Sequence, residues 1–204
     1  MITETHSASA DSGEFRSAFL DLLGNPAPDA PTHDAVRLDW IETPVGPLLA
    51  GVSSEAVVLL EFSDRKILEG QLETLRRRFK APVIPGSNRW LKALRRQLGE
   101  YFAGRRRQFE LPLAYPGTQF QERVWSQLLT IPYGETWSYL EMARKLGDVK
   151  ATRAVGTANG MNRIAIVIPC HRVINANGEL GGYGGGLWRK RILLDLEQGQ
   201  GGLF

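Results

Sequence analysis

The chain has 204 residues, 43% hydrophobic and 23% charged, which suits one large domain or two small ones and excludes a globally disordered chain. Its single cysteine excludes an intramolecular disulfide framework and a multi-cysteine zinc site, and with only three scattered histidines neither a metal nor another cofactor is expected. The net charge of +3 lies wholly in the second half: residues 1–116 hold 15 Lys/Arg and 15 Asp/Glu, residues 117–204 hold 10 and 7, a weak pointer to nucleic acid there.

The first residues, MITETHSASADSGEF, show neither a basic n-region nor an apolar h-region, and no apolar run approaches the roughly 18 residues of a membrane helix. A soluble cytoplasmic protein is expected, with no membrane partner. EFRSAFLDLLG reads as a short helix and the Pro-rich NPAPDAPTHD as a linker. AVRLDW, GPLLAGV and AVVLLEF are short β-prone runs and predict a small antiparallel sheet. KILEGQLETLRRRF and SNRWLKALRRQLGEYFAG carry helical spacing, with Ser87 or Asn88 as the cap of the second. The clusters RRRF and GRRRQF read as solvated helix ends. LPLAYPG, 111–117, reads as an inter-domain linker.

After the linker the texture turns helical. TQFQERVWSQLLTI puts Phe120, Val124 and Leu128 on one face. ETWSYLEMARKLG, stopped by Gly147, and VKATRAVGTANGMN, after a tight joint, form a helix-turn-helix candidate. RIAIVIP is a short β-rich run, GGYGGG a loop open to positive φ, and LWRKRILLDLEQG a closing amphipathic helix.

Cys170 stands where the apolar run ends, between Pro169 and His171, with the Gly-rich loop a few residues on. That context favours a nucleophile over an inert buried thiol. A thiol near its ordinary pKa is mostly protonated at neutral pH, so it needs a base, and His171 is the obvious one. Strand neighbours point to opposite faces, so His171 serves Cys170 only if the chain turns there or a water bridges them. A carboxylate should orient the other imidazole nitrogen; spacing leaves both Asp195 and Glu197 open.

IPCHRV, with SY upstream, RAVGTANGMN between and GGYGGGLWRKRILLDLE downstream, resembles the O6-alkylguanine-DNA alkyltransferases, the methylated-DNA–protein-cysteine methyltransferases. The likeness spans about residues 36–198 and is most specific from 118 to 197. It implies an α/β plus α fold: an N-terminal ribonuclease-H-like α/β domain and a mainly helical domain with a helix-turn-helix. It divides the chain into a tail and linker (1–34), an N-terminal α/β domain (35–112), a DNA-binding and alkyl-acceptor domain (113–200) and a C-terminal tail (201–204). It implies Cys170 as alkyl acceptor, His171 as base through a water, Glu197 as its orienting carboxylate and Asn162 behind the site. Tyr139 matches the residue that presses on the target nucleotide's phosphate, and Arg153 the finger that fills the stack after base flipping. Ala151 and Gly156, with Ala154, let the recognition helix approach the minor groove. Tyr183 and Gly184 match the pocket wall.

The partner implied is double-stranded DNA holding O6-alkylguanine, with O4-alkylthymine left open, and the protein is implied to be a monomer without cofactor or metal. Sulfur attack leaves a thioether, which has no hydrolytic exit, so each molecule works once. The chain departs from the family pattern in three places. Arg163 stands where Pro is frequent, which puts the rigidity of the loop in doubt. Gly184 stands where some members carry Ser. Ala165 replaces bulkier residues, which makes room for larger alkyl groups. Cys170 argues against the non-catalytic relatives that carry Trp there. A DNA-binding regulator and a thiol hydrolase are the competing readings. SGEFRSAFLDLLGNPAPDA also resembles the last helix and exit of an AraC-type domain.

Overall fold

The computed structural model describes residues 35–199. The N-terminal tail with its AraC-like stretch, and residues 200–204, lie outside the described residues. Three strands come first: β1 (Val36–Ile41), β2 (Leu48–Val52) and β3 (Val57–Phe62). They pair antiparallel as expected, but the sheet has a fourth strand, β4 (Val83–Pro85), parallel to β1, giving the order β3-β2-β1-β4. The mixed sheet corrects the all-antiparallel expectation. Three residues ending in Pro give too little alternation to read, and α1 (Leu68–Phe79) supplies the crossover that a parallel pairing requires.

Both sheet faces are covered. Leu68, Leu72 and Leu75 of α1 pack with Val36, Leu38, Val58 and Leu59 on one face. On the other, Leu91, Leu94 and Leu98 of α2 (Arg89–Phe102) pack with Ala50, Val57 and Leu60. Burial on both faces is why β3 reads as an unbroken apolar run, except at Glu61. Asn88, not Ser87, caps α2, its side chain accepting from the amides of Trp90 and Leu91.

The helical half comprises α3 (Gln119–Leu128), α4 (Tyr139–Lys145), α5 (Thr152–Gly160) and α6 (Leu187–Glu197). Thr118 with Gln121 and Ser138 with Glu141 form capping boxes on α3 and α4. Val124 and Leu128 are buried as the spacing predicts, whereas Phe120 is only half-buried; Trp125 is buried as well and donates its indole N–H to the Ala158 carbonyl at 2.8 Å. Gly147, at φ +86°, ends α4 by donating to the Arg144 carbonyl. A single 3-10 turn, Val149–Ala151, then leads into α5. Trp137 and Ser138 are not helical: they form β5, parallel to β6 (Val173–Ile174).

RIAIVIP is not a strand. Only its start pairs with β3, where the Leu60 amide donates to the Arg163 carbonyl and the Ala165 amide to the Leu60 carbonyl. The chain then winds: Ile166 has φ +69°, the Val167 amide donates to the Ala165 carbonyl and the Ile168 amide to the Ile164 carbonyl. A β-branched residue in the left-handed region costs about 1–3 kcal/mol and persists only where its surroundings over-determine it. Here Ile164, Ile166 and Ile168 are all fully buried. A short apolar run reports burial, not backbone shape. The linker 111–117 also runs along β3, bonded through Val57 to the Pro112 carbonyl and the Ala114 amide. The edge of the first domain's sheet is thus closed by the linker and by the segment that leads to Cys170.

Candidate active site

The turn that the sequence reading required is present. Cys170, His171 and Arg172 form a 3-10 turn after Pro169, so Cys170 and His171 are not strand neighbours. Cys170 is a free thiol, 6% exposed. The Asn162 side-chain amide donates to its Sγ at 3.1 Å and to the Ile168 carbonyl at 2.9 Å, while Asn162 Oδ1 accepts from the Ile164 amide. Asn159 Nδ2 donates to the Cys170 carbonyl at 3.2 Å. Burial pushes the Cys170 thiol up, with the Asn162 hydrogen bond opposing.

Behind the turn lies a buried charge cluster on Glu197, from the last turn of α6. Glu197 Oε1 lies 2.8 Å from His171 Nε2 and accepts from the Tyr101 hydroxyl at 2.8 Å; Arg172 donates to both carboxylate oxygens, from Nε at 2.8 Å and from its terminal nitrogen at 3.0 Å. Burial raises the Glu197 carboxyl, but the charge and hydrogen bonds of His171 and Arg172 outweigh it and hold the group well below the usual carboxylate range. An ionised carboxylate only accepts, so the proton of neutral His171 sits on Nε2 and Nδ1 is the basic nitrogen. Nδ1 is buried with no hydrogen-bond partner among the described residues. Burial lowers the His171 pKa, with Glu197 opposing, which favours the neutral ring, the form that can accept a proton.

Sγ faces a cavity of about 340 Å³. It is lined by Tyr139, Gly156, Asn162, Ala165, Tyr183 and Gly184, all singled out in the sequence. Tyr139, the first residue of α4, donates its hydroxyl to the Gly182 carbonyl at 3.2 Å and so ties the helix-turn-helix to the glycine loop. Gly156 of α5 lies beside the Tyr139 ring, where a Cβ would make ordinary contact. Arg153 is exposed and lines an adjoining outer groove with Lys150 and Thr152; Ala151 lines neither space. The doubt over loop rigidity at Arg163 is met by its side chain. Its guanidinium is tied to the Pro116 carbonyl and lies over the Trp125 ring at 5.3 Å, so the side chain anchors the turn where Pro would stiffen it.

Several site residues went unseen in the sequence. Lys190 is fully buried, donates to the Val173 carbonyl at 2.6 Å and the Gly181 carbonyl at 3.1 Å, and is pushed down to about 8 by burial. Arg172 and Tyr101 complete the Glu197 cluster. Glu61, Phe62 and Arg65 enter the cavity from the N-terminal domain. Adjacency to His171 was a signal for Arg172; Tyr101, 96 residues from Glu197, had none.

The ribonuclease-like domain of 6-O-methylguanine DNA methyltransferase matches residues 36–115, and the DNA-binding domain of the same protein matches 119–199. The methylated-DNA–protein-cysteine methyltransferase of Mycobacterium tuberculosis H37Rv is 49% identical over 159 residues, 78% of this chain and 90% of its own. The chain belongs to the methylated-DNA–protein-cysteine methyltransferase family. The relative from Methanosarcina acetivorans is 43% identical over 160 residues, 76% of this chain and 94% of its own. Among solved structures, Mycobacterium tuberculosis OGT in complex with DNA superposes with a TM-score of 0.69 at 43% identity, covering 81% of this chain and 94% of that one. The two matched domains meet along β3, where Arg163 and Ala165, at the start of the segment leading to Cys170, bond to Leu60.

Proposed function

We propose that this methyltransferase repairs O6-alkylguanine in double-stranded DNA by moving the alkyl group to Cys170, once per molecule. The observation that carries the reading is the thiol of Cys170, held by Asn162, at the floor of a cavity with a His171–Glu197–Arg172 cluster behind it. In the proposed step His171 Nδ1 takes the thiol proton through a water. The sulfur then bonds the alkyl carbon, the C–O6 bond breaks and its electron pair goes to the guanine. The proton that left the thiol is balanced by the one the guanine gains. Glu197 fixes the imidazole tautomer, as in other nucleophile–base–orienter sets.

A base inside a duplex cannot reach a buried thiol, so the nucleotide is flipped into the cavity, at a cost of a few kcal/mol. Tyr139 presses on its phosphate, Arg153 enters the stack, and Ala151 and Gly156 allow α5 into the minor groove. Tyr183, Gly184 and Ala165 wall the base and its alkyl group. We assign the protein to the cytoplasm, as a monomer, with a domain division at 112/113. The test is a titration of duplex O6-methylguanine with the protein. Guanine should appear in a one-to-one ratio and stop. Turnover beyond one per molecule, or full repair by Cys170→Ala, refutes the reading.

A further inference from the structure

The cavity beside Cys170 is not built from the helical domain alone. Its far side is the end of β3 and the loop after it, and the central residue there is Arg65. The Arg65 guanidinium donates to Glu61 at 2.5 Å and to the Gly160 carbonyl at the end of α5. Glu61 is 0% exposed and is otherwise satisfied by Gln71 Nε2 at 2.8 Å and the Phe62 amide at 3.0 Å. A buried carboxylate persists where it is paired and hydrogen-bonded, and this one holds one guanidinium nitrogen while the other reaches the Gly160 carbonyl of the next domain.

The other contact is with the glycine loop. A Cβ on Gly184 would collide with the Arg65 guanidinium, and one on Gly185 with the Phe62 ring. The φ of Gly184 is not in the left-handed region, so the backbone tolerates a side chain and the space is what excludes it. Arg65 therefore bridges the two cavity walls, Gly160 on one side and Gly184 on the other. Ala165, the small residue on which the expectation of room for larger alkyl groups rests, lines the same cavity. Space freed at Ala165 is faced by a charged wall from the other domain.

The geometry points to Arg65, held by Glu61, as a specificity-determining residue: it makes the N-terminal domain a wall of the pocket and excludes bulky apolar O6 substituents. This rests on the alkyl-transfer reading. A pocket wall of this kind discriminates through fit and through the cost of desolvating the guanidinium without a new partner. On this assignment a methyl is accommodated beside the base, whereas a benzyl group meets the guanidinium held between Glu61 and Gly160.

The test compares single-turnover rates on duplexes carrying O6-methylguanine and O6-benzylguanine. Arg65→Ala combined with Glu61→Gln, which leaves no unpaired carboxylate, should raise the benzyl-to-methyl rate ratio about tenfold or more, the scale on which pocket shape discriminates. Gly184→Ala should slow both substrates in the wild-type background, by crowding Arg65, and have little effect in the double variant. Should the double variant fail to fold, Arg65→Gln with Glu61→Gln carries the same comparison. An unchanged ratio in a variant that still transfers methyl, or an equal Gly184→Ala effect in both backgrounds, overturns the assignment. Absence of methyl transfer in the wild type instead overturns the alkyl-transfer reading, and the wall assignment with it.

Discussion

Cys170 combines two properties that pull apart. It is buried, which pushes its thiol up, and it must become a thiolate to react. Without DNA it should react with iodoacetamide more slowly in the native protein than in guanidinium chloride; equal rates would contradict the burial. His171 and Glu197 make the fold acid-sensitive. The His171 pKa lies below its ordinary 6.5 in the fold, so the unfolded chain binds the proton first and stability falls as pH drops through that value. The Glu197 carboxyl is depressed from 4.5, so its contribution is full above that value and is lost as pH falls through its native one. The urea midpoint should therefore drop between pH 7 and pH 5, with a smaller drop in His171→Gln. Glu197→Ala leaves Arg172 buried and unpaired and should cost about 3–5 kcal/mol by urea denaturation at pH 7. Of the catalytic set, Cys170 and His171 were legible because their types and order carry the chemistry. The choice of Glu197 over Asp195 needed either the resemblance or the fold, since both sit on the last helix and only orientation separates them.

At the scale of elements, two helix starts are set by capping boxes, and one of them positions the site. Ser138 caps α4 directly before Tyr139, so Ser138→Ala should cost about 1 kcal/mol and also slow transfer by loosening the Tyr139 contact with the Gly182 carbonyl, seen in paired stability and single-turnover measurements. Arg153 is an exposed residue of α5 with a role proposed only on DNA. Arg153→Ala should leave stability within about 0.5 kcal/mol and reduce transfer from duplex O6-methylguanine at least severalfold, with no change for the free O6-methylguanine base. Equal slowing of both substrates would place Arg153 in the pocket instead. The helices were legible from 3.6-residue spacing, with the cap of α2 and the Gly147 stop of α4. RIAIVIP was not, because a fully buried segment is apolar whether it pairs or winds, and Ile166 gives no outward sign of a positive φ.

At the scale of the whole molecule, the two domains share one core. The cluster around Leu60 and Phe62 runs without a break into Trp125, Met142 and Ile166. Arg189 reinforces it: its guanidinium pairs with Asp64, donates to the Val45 and Gly185 carbonyls and lies 4.4 Å over the Phe62 ring. Arg189→Ala strips partners from two buried carbonyls and should cost on the order of 2 kcal/mol, with a single unfolding transition by both tryptophan fluorescence and circular dichroism. Two separated transitions would mean that the domains are independent. This coupling is the part least visible in the sequence, which suggests a linker at 111–117 and hence separable halves. Pairing of that linker and of Arg163–Ala165 with β3 joins the domains through backbone bonds that no residue pattern announces.

The central claim is that Cys170 receives the alkyl group. The most direct measurement is peptide mass analysis after incubation with duplex O6-methylguanine. One methyl is expected on the Cys170 peptide, with occupancy rising to one per protein and no further. Guanine restored while the Cys170 peptide stays unmodified would contradict it.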